Sequence, residues 1–345
     1  MMTEIALASL IGPCVIAYTL LYLLLKFDSR LLAYDRPTER GLHDRVVPRG
    51  GGVIIIVATG LCSAGLSLAG IDDGLDWPIV LALSGIAVMG FADDHFGLSI
   101  RLRLLAGFAL AGVVGIATVG GEQWVLFGAS YPWQPEFVIL PVVLGLVWLM
   151  NLFNFMDGAD GVAGVQALIG TAVLAVWFAL SNYPSLALMN LGVAGACLGF
   201  LVFNWAPARV FLGDVGSLTL GAWFGCMLLI GTSRAGIPLE AFFILLGIFW
   251  FDATYTLIRR LLSGAPITEA HREHLYQRLI LANWSHQKVA LSTAVLALVM
   301  AVLASAVTRT PENGLWFFLL ALAILLGYTA LVTRLGTKDR SPGET

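Results

Sequence analysis

Residues Ile5 to Leu25, IALASLIGPCVIAYTLLYLLL, contain no charged side chain. A helix rising about 1.5 Å per residue crosses the roughly 30 Å hydrocarbon core of a bilayer with about 17 to 25 mostly apolar residues, so this run spans a membrane by itself. No basic n-region precedes it, which reads as a retained anchor rather than a cleaved signal peptide. The same pattern extends along the whole chain. Of its 345 residues 59% are apolar and only 12% are Asp, Glu, Lys or Arg, where soluble domains are roughly half apolar and a quarter charged. The mean hydropathy is +0.88. Eleven apolar segments are expected as helices, at 5–26, 51–70, 77–92, 102–120, 137–153, 162–180, 186–205, 217–232, 239–258, 288–307 and 315–333. The fold class is therefore all-α, a polytopic integral membrane protein, and residues 1–345 form a single transmembrane domain, since no loop is long enough for a soluble one.

Composition excludes several classes. Nineteen basic against 22 acidic residues, a net charge of −3, leaves no basic excess for a nucleic-acid surface. Disorder and a small disulfide scaffold are excluded as well. Cys14, Cys62, Cys197 and Cys226 all lie inside apolar runs, where they act as small hydrophobes, so neither a disulfide nor a zinc site is expected.

Lys and Arg in short loops mark the cytoplasmic side. Seventeen of the nineteen fall on the side that carries the 28–50 loop, leaving only Arg234 and Arg309 opposite. This predicts an outside (periplasmic) N-terminus and a cytoplasmic C-terminus, and it supports the count of eleven, because one span missed or invented would mix the charges. All five histidines, His43, His95, His271, His274 and His286, fall on the same side. The opposite loops carry Asp72, Asp73, Asp76, Glu122, Glu136, Glu240 and Glu312, which read as ordinary solvated charges.

Four segments at inner helix ends break the apolar pattern. GFADDHFGL (Gly90–Leu98) pairs Asp93 with Asp94. A polar helix terminus would explain one carboxylate, but carboxylates near hydrocarbon are costly, and an adjacent pair points to a cation or a reacting partner. Helical neighbours diverge by about 100°, which predicts divided roles. NLFNFMDGADG (Asn151–Gly161) spaces Asn151, Asn154, Asp157 and Asp160 by three, so a helical or 3₁₀ turn would align their oxygens. A calcium loop competes, yet EF-hand spacing and its terminal Glu are missing. NWAPARVFLGDVGS (Asn204–Ser217) brackets Asp214 between Gly213 and Gly216, ahead of a helix N-terminus that favours anions such as phosphate. Ser217 there is first of all a candidate N-cap. The 259–287 loop holds Arg259, Arg260, His271, Arg272, Glu273, His274, Tyr276, Gln277 and Arg278. Snorkelling explains Arg259 and Arg260, and His271 with His274 at i, i+3 would suit a transition metal; phosphate contact fits the set better. Asp252, seven residues before Arg259, would orient that cation or a catalytic group. Carboxylates for Mg²⁺ among cations for phosphate describe a nucleotide or pyrophosphate site at a membrane surface. A transporter of a polar anion would instead place polar residues at mid-membrane.

With DRPTERGLHDRVVPRGGG (Asp35–Gly52) and AHREHLYQRL (Ala270–Leu279) added, these motifs resemble the polyprenyl-phosphate N-acetylhexosamine-1-phosphate transferases of glycosyltransferase family 4 over nearly the whole chain. The resemblance implies transfer of a HexNAc-1-phosphate from a UDP-sugar to undecaprenyl phosphate with release of UMP, at the cytoplasmic face of a bacterial inner membrane. It implies Mg²⁺, with Mn²⁺ as an alternative, at Asp214. It makes Asp93 and Asp94 the acidic pair that positions or activates the lipid phosphate, and Asn154, Asp157, Asp160 and Asn204 nucleotide-pocket residues, with Phe211 on the uracil. His271, Arg272 and His274 would hold the pyrophosphate. A homodimer is a further expectation. The peptidoglycan branch, which uses UDP-MurNAc-pentapeptide, carries adjacent histidines where this chain reads HREH. That form resembles the O-antigen branch acting on UDP-GlcNAc, UDP-FucNAc or UDP-QuiNAc. Direct attack by the lipid phosphate and a two-step route through a phosphorylated aspartate both remain open.

Overall fold

The computed structural model of the chain describes residues 2–27, 31–37, 43, 45–72, 74–118, 123–266 and 271–338. Arg30, Arg40 and Arg340 of the basic set, Asp73 and Glu122 of the opposite loops, and parts of the expected 28–50 and 259–287 catalytic loops lie outside the described residues. Each of the eleven apolar segments is helical, as backbone in hydrocarbon must satisfy its own hydrogen bonds. The helices are α1 Met2–Lys26, α2 Gly52–Leu68, α3 Trp77–Phe96, α4 Ile100–Thr118, α5 Pro135–Met156, α6 Val162–Leu180, α7 Pro184–Asn204, α8 Gly213–Ser233, α9 Leu239–Leu245, α10 Gly247–Leu262, α11 Leu275–Leu281, α12 His286–Arg309 and α13 Gly314–Lys338. Among the described residues nine continuous helices have the length and apolarity to cross a membrane. The pair α9 and α10 makes a tenth, and α2 is a shorter apolar helix of 17 residues.

Three features differ from expectation. The expected helix 239–258 is broken by a 77° bend at Leu246–Gly247, where glycine weakens the helix. The helix expected from 217 begins at Gly213, and α3 runs on to Phe96, so Asp214 occupies a first helical turn and Asp93 and Asp94 a last one. Two antiparallel hairpins, β1 Ala33–Asp35 with β2 Val47–Arg49 and β3 Gln123–Leu126 with β4 Ala129–Pro132, are too short to show in a hydropathy pattern.

The α7 and α8 helices are the most enclosed, whereas α1, α4 and α13 lie outermost. Phe153 of α5 stacks on Phe224 of α8 at 5.1 Å and meets Phe249 of α10 edge-on at 5.0 Å. Such aromatic pairs add about 0.5–1.5 kcal/mol each and fix three helices beneath the polar end. The β1–β2 hairpin and the α3–α4, α5–α6, α7–α8 and α10–α12 connections share that end. At the other end Arg234 pairs with Asp76 at 2.5 Å. Glu240 there is not a solvated loop charge: it is buried in α9 and accepts the Phe127 amide of the second hairpin at 3.0 Å. All four cysteines are free.

Candidate active site

The site is assembled around the N-terminus of α8. Its first amides are unpaired within the helix and attract an anion. The anion found there is Asp94 of α3: Oδ1 accepts the Asp214 amide at 2.9 Å and Oδ2 the Val215 amide at 3.0 Å, with Arg49 Nε 3.1 Å from Oδ1. The phosphate expected at this terminus is therefore replaced by a protein carboxylate. Two glycines allow the approach. Gly213 has φ +75°, and a Cβ there would lie 2.6 Å from Asp94 Oδ2. At Gly90 a Cβ would meet the Asp214 carbonyl at 2.6 Å.

Asp93 points elsewhere, as helical geometry demands. Its Oδ1 accepts the Leu98 amide at 2.7 Å and its Oδ2 meets Arg103 of α4 at 2.6 Å. The same Arg103 nitrogen lies 3.3 Å from Asp214 Oδ2. Asn154 donates to Asp214 Oδ1 at 2.6 Å and to Ser217 Oγ at 3.2 Å. Ser217 thus lies inside α8 and accepts from a neighbouring helix rather than capping its own.

The α5–α6 turn does not align four oxygens on one face. Asn151 bonds back to the Val147 carbonyl at 2.7 Å, Asp157 caps the end of α5, and the chain reverses through Gly161 at φ +78°. Asn204 braces this turn to the α7–α8 loop, accepting from the Gly161 amide at 3.0 Å and donating to the Val210 carbonyl at 2.9 Å. Asp160 accepts the Ala208 amide at 2.9 Å and lies 3.3 Å from His286.

A polar cavity of about 270 Å³ opens among these loops. Of the residues singled out in the sequence, Asp94, Asn154, Asp157, Asp160, Asn204, Phe211 and Asp214 line it, whereas Asp93, His271, Arg272 and His274 do not. Gln277, of the loop read as a phosphate contact, lines it too. Asp35, His43, Arg49 and His286 also line it and were assigned no role in the sequence, although Asp35, His43 and Arg49 stand in the motif carried by the first hairpin. His43 is 3.2 Å from Asp35 and packs edge-on against Phe211 at 5.0 Å. Burial, reinforced by the negative charges of Asp214 and Asp94, pushes Asp157 well above the ordinary carboxylate range.

That crowding is the observation that tests a divalent cation here. Among the described residues no group of three or more His, Cys, Asp or Glu is set to hold a metal. Mg²⁺ commonly needs only one or two carboxylates, with substrate phosphates and water completing its shell. Undercompensated carboxylates facing a cavity of this size fit such an ion.

The 259–287 loop is folded onto itself. Asp252 accepts the Leu275 amide at 2.8 Å and the Tyr276 amide at 3.3 Å, and lies 3.2 Å from buried His274. It does not orient Arg259, which pairs with Glu273, as does Arg260. Burial and the nearby charges of His274 and Arg260 lower His271 to about 4. The Tyr276 hydroxyl donates to the Phe155 carbonyl at 2.9 Å, against Gly158, where a Cβ would lie 2.2 Å from that hydroxyl. This docking brings Gln277, rather than His271 or His274, to the cavity.

A helical membrane bundle with a carboxylate-rich, Gly-flanked cavity at one end is the architecture of a membrane phosphotransferase. The profile of glycosyl transferase family 4 matches residues 77–232. The chain is 30% identical over 319 residues to the "Probable undecaprenyl-phosphate N-acetylglucosaminyl 1-phosphate transferase" of Bacillus subtilis, covering 87% of this chain and 83% of that protein. It is 28% identical over 303 residues to the decaprenyl-phosphate N-acetylglucosaminephosphotransferase of Mycobacterium tuberculosis, covering 76% and 72%. It is also 28% identical over 308 residues to the phospho-N-acetylmuramoyl-pentapeptide-transferase of Chlorobaculum parvum, covering 77% and 81%. The chain belongs to the polyprenyl-phosphate N-acetylhexosamine-1-phosphate transferases of glycosyl transferase family 4.

Proposed function

We propose that the protein transfers an N-acetylhexosamine-1-phosphate of the GlcNAc, FucNAc or QuiNAc type from a UDP-sugar to undecaprenyl phosphate, releasing UMP, as the first membrane step of O-antigen or a related envelope polysaccharide. The observation that carries the reading is the convergence of Asp94, Asn154, Asp157, Phe211 and Asp214 on one cavity. The 17 to 2 distribution of Lys and Arg supports a cytoplasmic location for that end, where UDP-sugars are available, in a bacterial inner membrane. An apolar groove of about 820 Å³ between α5, α8 and the α9–α10 pair suits a polyprenyl chain.

Asp214, helped by Asp157, would hold Mg²⁺ or Mn²⁺. When bound, such an ion supplies charge neutralisation for the pyrophosphate and the departing UMP. The protein's own groups do the rest. Phe211, backed by His43, offers a face for uracil. Arg49 at the cavity wall screens the two anions that must meet. Asn204 and Asp160 hold the loops that shape the pocket. A phosphate monoester has its second pKa near 6 and is mostly dianionic at pH 7, so the acceptor attacks in line with little need of a base.

The names of the peptidoglycan relatives favour a second reading, transfer of phospho-MurNAc-pentapeptide. The HREH loop, lacking adjacent histidines, argues for the first. Purified protein incubated with undecaprenyl phosphate, Mg²⁺ and a panel of UDP-HexNAc donors is expected to release UMP with one of them and not with UDP-MurNAc-pentapeptide. No UMP from any donor overturns the assignment. UMP release, or UMP exchange, without the lipid acceptor would replace direct attack by the two-step route.

A further inference from the structure

We propose that Arg103 is an exchangeable internal counter-ion. Its guanidinium holds Asp214 while the divalent cation is absent and yields that carboxylate when the cation arrives, remaining anchored on Asp93. The inference rests on the reading of Asp214 as a metal ligand.

Arg103 lies in the first turn of α4, where the helix dipole disfavours a cation. Carboxylates must therefore set its position, and they do so unequally. Asp93 holds it at 2.6 Å, within the range of a strong charge-assisted bond, while Asp214 lies at 3.3 Å, outside it. The strong contact is the post and the long one is the part that can be given up. Asp93 suits the post because its other oxygen is taken by the Leu98 amide at 2.7 Å and because it does not line the cavity. Asp94 cannot substitute, as both its oxygens are engaged by the α8 amides.

A counter-ion is required here. The Asp93 and Asp214 carboxylates converge on the single Nη1 of Arg103, at 2.6 and 3.3 Å, and two like charges brought that close repel unless a cation stands between them. The guanidinium also has room to retreat. Arg103 is about one-third exposed and borders a second recess of about 40 Å³ shared with Asn151 and Asn154. The amide nitrogens of those asparagines are spent on the Val147 carbonyl and on Asp214, leaving their oxygens as the acceptors on that side. Asp93 then acts as a positioning residue for Arg103, which divides the acidic pair between one helix terminus and one arginine.

The test measures metal binding, not turnover, with Mn²⁺ as the probe, by electron paramagnetic resonance of free Mn²⁺ over the full-length protein in detergent. A bridge closed about 90% of the time holds the apparent affinity about tenfold below that of the open site. Arg103→Gln is accordingly expected to bind Mn²⁺ about tenfold more tightly than wild type. In EDTA it is expected to melt lower, so that saturating Mn²⁺ raises its melting temperature by more than it raises that of wild type. A merely structural arginine would give weaker binding on removal, so an unchanged or weakened Mn²⁺ affinity overturns the proposal. Arg103→Lys keeps the charge without the planar fork and is expected to show a smaller rise. If the glutamine variant does not fold, the lysine variant decides by the same criterion. Asp214→Asn is expected to abolish Mn²⁺ binding in both backgrounds. Wild-type affinity in Asp214→Asn sinks the metal assignment itself, whereas its loss there alongside an unchanged Arg103→Gln sinks the counter-ion role alone.

Discussion

The α7–α8 corner and the α10–α12 loop carry the same kinds of side chain, acids beside bases at a helix start, and treat them in opposite ways. At the corner, Asp214 and Asp157 face a cavity; Asp214 shares the one guanidinium of Arg103 with Asp93, and Asp157 is driven well above the ordinary carboxylate range by burial and its neighbours. In and beside the loop, among the described residues, the acids are spent internally: Asp252 of α10 on the α11 amides and His274, Glu273 on Arg259 and Arg260. Carboxylates left partly unpaired at a cavity are set to bind, whereas carboxylates saturated by their own chain hold a shape. Two regions that looked equally functional as motifs thus divide into chemistry and scaffold.

The comparison breaks or sharpens on three substitutions. Asp214→Asn removes charge from the cavity while preserving an acceptor for Asn154. UMP release is expected to fall by about 10²–10³-fold, the usual cost of losing a group that stabilises transition-state charge, with little change in melting temperature. Retained turnover would place the chemistry elsewhere. Asp252→Ala should do the reverse. Stranding two buried amides, Thr256 and His274 is expected to cost about 2–4 kcal/mol, read as a lowered melting temperature in detergent, and an unaltered melting profile would show that the loop is not held by this residue. His271→Gln is expected to have the smallest effect, less than about twofold on UMP release at pH 7.5, because the ring lies outside the cavity and is neutral there.

His271 also carries a pH signature. Its folded-state value of about 4 lies below the ordinary 6.5, so as pH falls the unfolded chain takes up this proton first. The group's contribution to stability is fully present above about pH 6.5 and is lost as pH falls towards 4. Wild type should therefore lose melting temperature faster across that window than His271→Gln; parallel curves would contradict the burial of this ring.

Most of the fold is legible in the hydropathy pattern because a segment crossing hydrocarbon must be long, apolar and helical. The break at Leu246–Gly247 is not legible, since both halves are equally apolar and only packing against neighbouring helices distinguishes a bend from a straight span. The hairpins escape for the opposite reason, being too short for any period. At the site, Asp93 and Asp94 read as a pair with divergent directions from helical geometry alone, and the structure gives them separate partners. Arg103 and Arg49 were visible only as loop charge, because nothing in a sequence says that Arg49 will meet the carboxylate of Asp94 or that Arg103, across 111 positions, will meet that of Asp214.

The run from Ile5 to Leu25 and its ten counterparts determined by themselves that this chain is a helical membrane protein, because unsatisfied backbone in lipid leaves only helices and closed barrels, and unbroken apolar runs of this length are those of helices. The order and spacing of the acidic and Gly-rich loops indicated its family. Only the tertiary structure decided which of those loops face one another, which acids remain short of partners, and that the α8 N-terminus is already occupied by Asp94. Those outcomes depend on distances between helix ends set by close glycine contacts, a property of packed surfaces rather than of any one segment.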